Sequence, residues 1–264
     1  MKKVLITGSE GLIGKKLVKL YKDRGHEVFE YDWANPNLLD LPQEHFDVIH
    51  HCASQCIIRD VIKIPEQSFQ NILITHQIME LARKHPPKKL FLYSSNRVTN
   101  SEENPYVTSK KHMENFAKAY KNCYDIDSII IRPETIWGYK EADIRVIPAW
   151  IENTIQDKEI IIYGDKEKEL SPLYVDDFIS MVEGMEAFYN NYKNETWTIT
   201  GQPKLANQIA IFIRDYLKKD YNIKFYPAEK TQPQKCESRI NEHRVLGDFS
   251  DDIRRYLEER KTKK

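Results

Sequence analysis

"KVLITGSEGLIGKKLVKLYKDRG", residues 3–25, decides how the rest of the chain is read. "KVLITG" (3–8) is a short apolar run ending in glycine, the pattern of a buried strand. "LIGKKLVKLYKDRG" (12–25) then repeats its apolar residues at helical spacing and closes on Gly25. Between the two, Gly8, Gly11 and Gly14 stand at three-residue spacing. The chain has only nine glycines in 264 residues, about half of ordinary usage, so three of them in one turn carry weight. Gly8 permits the tight turn, Gly11 lets backbone come close to a pyrophosphate, and Gly14 lets the helix lie against the strand. The amides of Leu12 and Ile13 then face that anion from the positive end of the helix. The stretch predicts a dinucleotide-binding strand–turn–helix.

Working outward, "EVFEYD" (27–32) is the next strand, and it ends on Asp32, 18 residues after Gly14. An acid there accepts hydrogen bonds from the adenosine ribose hydroxyls and repels a 2′-phosphate. The residues that follow, Trp33, Ala34 and Asn35, bring no positive charge, which favours NAD over NADP. Asp40 and Leu41 come next and are expected to line the adenine. Further strands read at 47–53, 88–95 and 127–133, with helices at 64–85 and 105–122. This alternation predicts an α/β, Rossmann-type doubly wound parallel sheet. Residues 1–135 are expected to form the NAD-binding core, with 175–200 returning to it. Residues 136–264 are expected to form mainly a small C-terminal α/β substrate lobe, packed onto the sheet rather than tethered to it. Asp32 and Asp47 lie only fifteen positions apart, so the third strand is expected to be short or missing.

Composition narrows the function. Forty basic and forty acidic residues cancel, which leaves no electrostatic case for a nucleic-acid or anionic-membrane partner. The longest apolar runs fall far short of the ~20 residues that span a bilayer, and "MKKVLITG" lacks the apolar segment of a signal peptide. A cytoplasmic location is expected. Cys52, Cys56, Cys123 and Cys236 form no paired half-sites and read as reduced thiols; no metal site is expected.

Six features then occur in a fixed order: "TGSEGLIG", "DVIHHCAS", the helix bearing Asn71, "LYSSNRV", Tyr106-x-x-x-Lys110 and "IRPETIWG". They resemble an extended short-chain dehydrogenase/reductase of the NAD-dependent epimerase/dehydratase family. The likeness spans residues 3–138, extends through "LSPLYVDDFI" and "WTITG" to about residue 201, and is loose beyond. The resemblance implies that Tyr106 is the acid/base, that Lys110 tunes it and holds the nicotinamide ribose, and that Ser95 bonds the reacting sugar oxygen. Cys52, Ala53 and Ser54 would pass beside the cofactor, Asn71 would support the site, and Pro133 would lie near the nicotinamide. His51 reads as a packed residue rather than a catalyst. The chemistry stands independently of the likeness. A free phenol has a pKa of ~10, and bringing it near 7 takes ~4 kcal/mol of preference for the phenolate. A lysine at i+4 on the same helix face is placed to supply that charge. Ser95 is preferred to Ser94 for its spacing to Val98, and because alternation turns adjacent strand residues to opposite faces.

The departures from the family pattern matter as much. Dehydratase relatives carry an acid pair after the Ser/Thr, where this chain has Asn96 and Arg97, which disfavours dehydration. Leu170 stands where an arginine often grips the nucleotide diphosphate; Lys166, Lys168 and Arg145 are candidate substitutes. The expected activity is epimerisation of a nucleotide sugar. The alternatives are an NAD(P)H-dependent 4-keto-sugar reductase (a class the wording "SPLY" also resembles), a sugar dehydrogenase, and a non-catalytic NAD-binding scaffold. The helices at 64–85 and 105–122 match those that pair in family homodimers, so a homodimer is expected.

Overall fold

A computed structural model describes residues 1–32, 41–99, 103–140, 145–164, 168–220, 222–227 and 241–262. Among these, β1 (Lys3–Thr7), α1 (Leu12–Asp23), β2 (Glu27–Tyr31), β3 (Val48–His51), α2 (Ile58–Lys63), α3 (Glu66–Lys84), β4 (Lys89–Tyr93), α4 (Pro105–Tyr124) and β5 (Ile129–Pro133) build the first half. A 3-10 turn, Asn96–Thr99, follows β4. The second half carries β6 (Thr135–Trp137), α5 (Val146–Ile155), β7 (Ile160–Tyr163), β8 (Glu169–Leu170), β9 (Pro172–Tyr174), α6 (Val175–Ala187), α7 (Tyr189–Tyr192) and β10 (Thr196–Thr200). It ends with β11 (Lys204–Leu205), α8 (Ala206–Tyr216), β12 (Ile223–Tyr226), β13 (Glu242–Arg244) and α9 (Phe249–Thr262).

Seven strands form one sheet in the order β13-β10-β5-β4-β3-β1-β2, and every pairing in it is parallel. Strand alternation explains why both faces are covered. Val4 and Ile6 of β1, Phe91 and Tyr93 of β4, and Ile129 and Ile131 of β5 point into one cluster, with Leu17 of α1 and Phe178 of α6. Leu5, Leu90, Leu92 and Ile130 point the other way, against Ile78 of α3 and Met113 of α4. A parallel sheet buried on both faces reads as nearly continuous apolar runs, and these strands do.

Among the described residues no strand lies between β2 and β3, so β2 is an edge of the sheet. At the other edge, β13 pairs with β10, a strand that the sequence reading does not contain. The three two-stranded pairs outside the sheet, β8 with β11, β7 with β12 and β6 with β9, make up much of the lobe. Its apolar side chains, among them Trp137, Trp150, Ile209 and Tyr256, join the same cluster as Val4 and Ile6. The lobe is therefore continuous with the core. No described helix is long and apolar enough to cross a membrane.

Candidate active site

The glycine turn sits where β1 delivers it. Gly8 has φ +72°, and a Cβ there would lie 2.7 Å from the Ala53 nitrogen. A Cβ on Gly14 would lie 2.0 Å from the Gly8 carbonyl oxygen. Both obstacles are backbone, so no side chain fits at either position. The turn is closed by Gly11 N–H donating to Gly8 O (2.9 Å) and Gly8 N–H donating to Tyr31 O (2.6 Å). Asp32 accepts from the Glu10 amide at 2.7 Å, tying the turn to the end of β2. No side chain caps the N-terminus of α1, so the first-turn amides, including those of Leu12 and Ile13, keep their capacity for an anion. The cradle, the open helix end and the strand-end acid fit NAD, with its pyrophosphate against the turn. Asp40 lies outside the described residues, and Leu41 is buried in the cluster shared with Leu5 and Tyr31.

The floor of this region is a closed polar network. Thr75 donates its hydroxyl to the Asn71 carbonyl (2.8 Å), so its oxygen accepts from His51 Nε2–H at 3.2 Å. His51 Nδ1 is then the acceptor for Thr7 Oγ1–H at 2.8 Å. The Ala53 amide donates to the same Thr7 oxygen at 3.3 Å. With both ring nitrogens satisfied and burial pulling its pKa down to about 3, His51 stays neutral and holds the ends of β1 and β3 together. Asn71 performs a similar task one layer up. Its Oδ1 accepts from the Gln55 amide (2.8 Å), and its Nδ2 donates to Gln55 O and to Ser109 Oγ, each at 3.2 Å. Gln55, which follows the Cys52–Ser54 segment, is thus fixed to α3 and, through Ser109, to α4. Cys52, Cys56 and Cys123 are free thiols, burial pushes the Cys52 thiol up, and Cys236 lies outside the described residues.

The catalytic candidates come from two elements. Asn104 caps α4 by accepting from the Val107 amide at 3.1 Å, and Pro105 occupies its first turn. From that start Tyr106, Lys110 and Glu114 recur every four residues, on one face, at 7%, 3% and 5% exposure. Opposite them, β4 ends and turns at Ser94 and Ser95. Ser94 donates to Glu114 Oε1 at 2.6 Å, and Arg132 grips both oxygens of the same carboxylate at 2.8 and 2.6 Å. Ser95 accepts instead from the Arg97 amide at 3.2 Å and stands close enough to the Tyr106 phenol to favour its ionised form. Lys110 donates to the Tyr93 carbonyl at 2.7 Å. Lys111, one step around α4, pairs instead with Glu103 at the surface. Pro133 closes β5, in register with Ile199 of β10.

Burial pushes the Tyr106 phenol up to about 12; the Ser95 hydroxyl and the Arg97 charge act in the opposite direction. Lys110 is buried on the same face of α4 as Tyr106. Its own ammonium is drawn down to about 8, chiefly by burial. Arg97 is a group that the sequence reading passed over as a tuner, since a cation in a turn ordinarily reads as solvated. Glu114 was also passed over, although its four-residue spacing from Lys110 was a usable signal. The turn holding Arg97 carries orphans as well. The buried Asn96 amide has neither Oδ1 nor Nδ2 bonded, and Arg97 Nη1 has no partner; each such group costs ~1–3 kcal/mol.

Comparison with known proteins gives the following. The family model described as "NAD dependent epimerase/dehydratase family" matches residues 4–199. A Methanocaldococcus jannaschii protein bearing the provisional name UDP-glucose 4-epimerase is 25% identical over 251 residues, covering 80% of this chain and 81% of that protein. A dTDP-D-glucose 4,6-dehydratase of Dictyostelium discoideum is 24% identical, covering 68% of this chain and 54% of the dehydratase. Among solved structures, the UDP-N-acetylglucosamine 4-epimerase of Methanobrevibacter ruminantium M1 has a TM-score of 0.84 at 20% identity, covering 100% of this chain and 99% of that one. Epimerases and dehydratases stand side by side among these relatives. They do not separate the two reactions, and the sequence argument against dehydration rests on Asn96 and Arg97 alone.

Proposed function

The chain belongs to the NAD dependent epimerase/dehydratase family, and we propose that within it the protein epimerises a nucleotide sugar. Bound NAD would supply the hydride acceptor at a sugar carbon, and epimerisation would require the hydride to come back to the opposite face of that carbon. The residues of this chain manage the proton on the attached oxygen. Tyr106 is protonated near neutral pH, its pKa pushed up to about 12 by burial, and so carries the proton that a carbonyl oxygen would receive. Taking that proton back from a hydroxyl requires the phenolate, which the Ser95 hydroxyl and the Arg97 charge favour. Ser95 also faces the position where that oxygen must sit if Tyr106 is to reach it. Lys110 is anchored on the Tyr93 carbonyl and presents its ammonium beside the same helix face, where it would hold the nicotinamide ribose. The Gly8–Gly14 turn would receive the pyrophosphate, with Asp32 on the adenosine ribose and Cys52, Ala53, Ser54 and Pro133 along the cofactor's path.

The observation that carries epimerisation over dehydration is the environment of Tyr106. Asn96 and Arg97 follow Ser95 where an acid pair would stand, and Arg97 brings a positive charge to bear on the phenol. Expelling a hydroxyl as water needs a proton donor near the leaving oxygen, and the guanidinium of Arg97, which keeps its proton far above neutral pH, is a poor one.

The test is incubation of the protein, with its bound nucleotide, with UDP- and dTDP-hexoses. The expected result is a stereoisomer of the input sugar with no net change in NADH absorbance. Tyr106→Phe is expected to lower turnover by at least ~10²-fold while retaining NAD. Steady consumption or release of NADH, or a deoxy-keto product, would refute epimerisation.

A further inference from the structure

The turn after Ser95 gathers charge that no described carboxylate answers. Arg97 lies two residues beyond Ser95, and its amide donates to Ser95 Oγ at 3.2 Å. Its Nη1 is buried without a partner, and its charge reaches the Tyr106 phenol. From the lobe, Lys168 lies within electrostatic range of Arg97. It is half-buried, its ammonium is drawn down by burial and by the nearby Arg97 charge, and no described carboxylate pairs with either cation. Elsewhere the chain pairs its cations freely: Lys16 alone contacts Asp176 at 2.8 Å and Glu259 at 2.6 Å. Between Arg97 and Ser95 lies Asn96, 1% exposed, with donor and acceptor both unused. Two like charges held together in a partly desolvated place repel, and the arrangement becomes favourable when an anion enters between them.

We propose that Arg97 and Lys168, with the Asn96 amide beside them, form a receptor for a carboxylate carried on the sugar ring, so that the substrate is an acidic nucleotide sugar of the hexuronate type. This deepens the nucleotide-sugar reading above and rests on it. Position favours a sugar carboxylate over the diphosphate. Arg97 follows the serine beside the catalytic phenol and acts on that phenol directly, so its partner belongs to the reacting end of the substrate. A neutral hexose would leave both cations uncompensated.

The experiment is titration calorimetry of the NAD-loaded protein with UDP-glucuronate, UDP-glucose and UDP. The wild type is expected to bind the uronate at least ~10-fold more tightly than the neutral hexose. Arg97→Gln and Lys168→Met are each expected to weaken uronate binding more than hexose binding, the arginine variant by about ten- to a hundredfold for the uronate, the range of a charge-assisted hydrogen bond, so that the preference is abolished. Lys168 is half-buried and forms no ion pair with a described carboxylate, so its removal breaks no salt bridge and its variant serves if Arg97→Gln does not fold, with thermal midpoints recorded for both. Wild-type binding of UDP-glucose as tight as that of UDP-glucuronate would overturn this inference alone. So would variants that weaken UDP and both sugars equally, because the anion held would then be the diphosphate. Failure of the wild type to bind any of the three would sink the nucleotide-sugar reading, and this inference with it.

Discussion

Lys110 donates its ammonium to the Tyr93 carbonyl from within the protein, where burial draws its pKa from 10.5 to about 8. A shift of that size means that the charged lysine is strained at neutral pH, by ~3 kcal/mol at the usual 1.36 kcal/mol per unit. Lys110→Met removes the charge and keeps the length. It also leaves the Tyr93 carbonyl without this donor, which takes back ~1–2 kcal/mol. The expected variant is more stable than wild type at pH 7 by ~1 kcal/mol and inactive. The sign of the pH dependence is fixed by linkage. Between the folded pKa near 8 and the unfolded 10.5 the unfolded chain binds more protons, so wild-type stability rises with pH in that window. The advantage of Lys110→Met should therefore shrink between pH 8 and 10.5. Thermal denaturation of both proteins across that range measures it, and an advantage that is constant or grows with pH would show that the lysine's charge is not what strains the site.

At the level of elements, β4, α4 and β5 are joined by one buried carboxylate. Glu114 of α4 accepts from Ser94 at the end of β4 and from Nε and Nη2 of Arg132 on β5. Glu114→Ala would strand a buried guanidinium, at a cost of ~3–5 kcal/mol, or ~10 °C in midpoint for a chain of this size. Arg132→Met should cost about as much. The double variant Glu114→Met/Arg132→Met should recover most of the loss, since replacing a buried ion pair with apolar side chains is often close to neutral. Additive losses in the double variant, measured by denaturant unfolding, would show that the pair does not act as a unit. The same elements show what the sequence makes legible. Helices α3 and α4 carry long apolar periodicities, and their structural limits, Glu66–Lys84 and Pro105–Tyr124, lie within two residues of those read at 64–85 and 105–122. The different partners of Ser94 and Ser95 follow from strand alternation. By contrast, β13 is the three-residue polar run Glu242–Arg244, and β8 and β11 have two residues each. Segments that short hold no period, and they exist only because a neighbouring strand offers its backbone. Arg97 and Lys168 escape for a related reason: burial of a cation is a property of the packing around it.

For the whole molecule, the lobe and the sheet share one core, and the last helix fastens them. Arg255 of α9 grips Asp177 through two bonds of 2.9 and 3.0 Å, Arg260 does the same to Glu152 at 2.7 and 3.0 Å, and Lys16 joins α1 to both Asp176 and Glu259. The site between the glycine turn and the lobe is therefore held on a continuous body, and the surface left to explain is on the opposite face of the sheet. There α3 and α4 pack together, and α3 exposes Phe69 at 67% and Leu73 at 39%, one helical turn apart, with Ile57, Ile62 and Ile64 exposed close by in sequence. We infer that a second copy of the chain covers this face, as the resemblance led us to expect. A stable association needs ~800 Å² from each partner, more than Phe69 and Leu73 alone provide, so the proposed contact runs along α3 and α4. Sedimentation at micromolar concentration should give the mass of two chains. Phe69→Glu places a charge at the apolar centre of that contact and should weaken association by ~30-fold or more, the ≥ 2 kcal/mol of a hot-spot residue, while leaving the fold and NAD binding intact, because Phe69 touches neither the core clusters nor the glycine turn. A wild-type protein that sediments as a single chain, or a Phe69→Glu variant that remains a dimer, would remove this face as the interface.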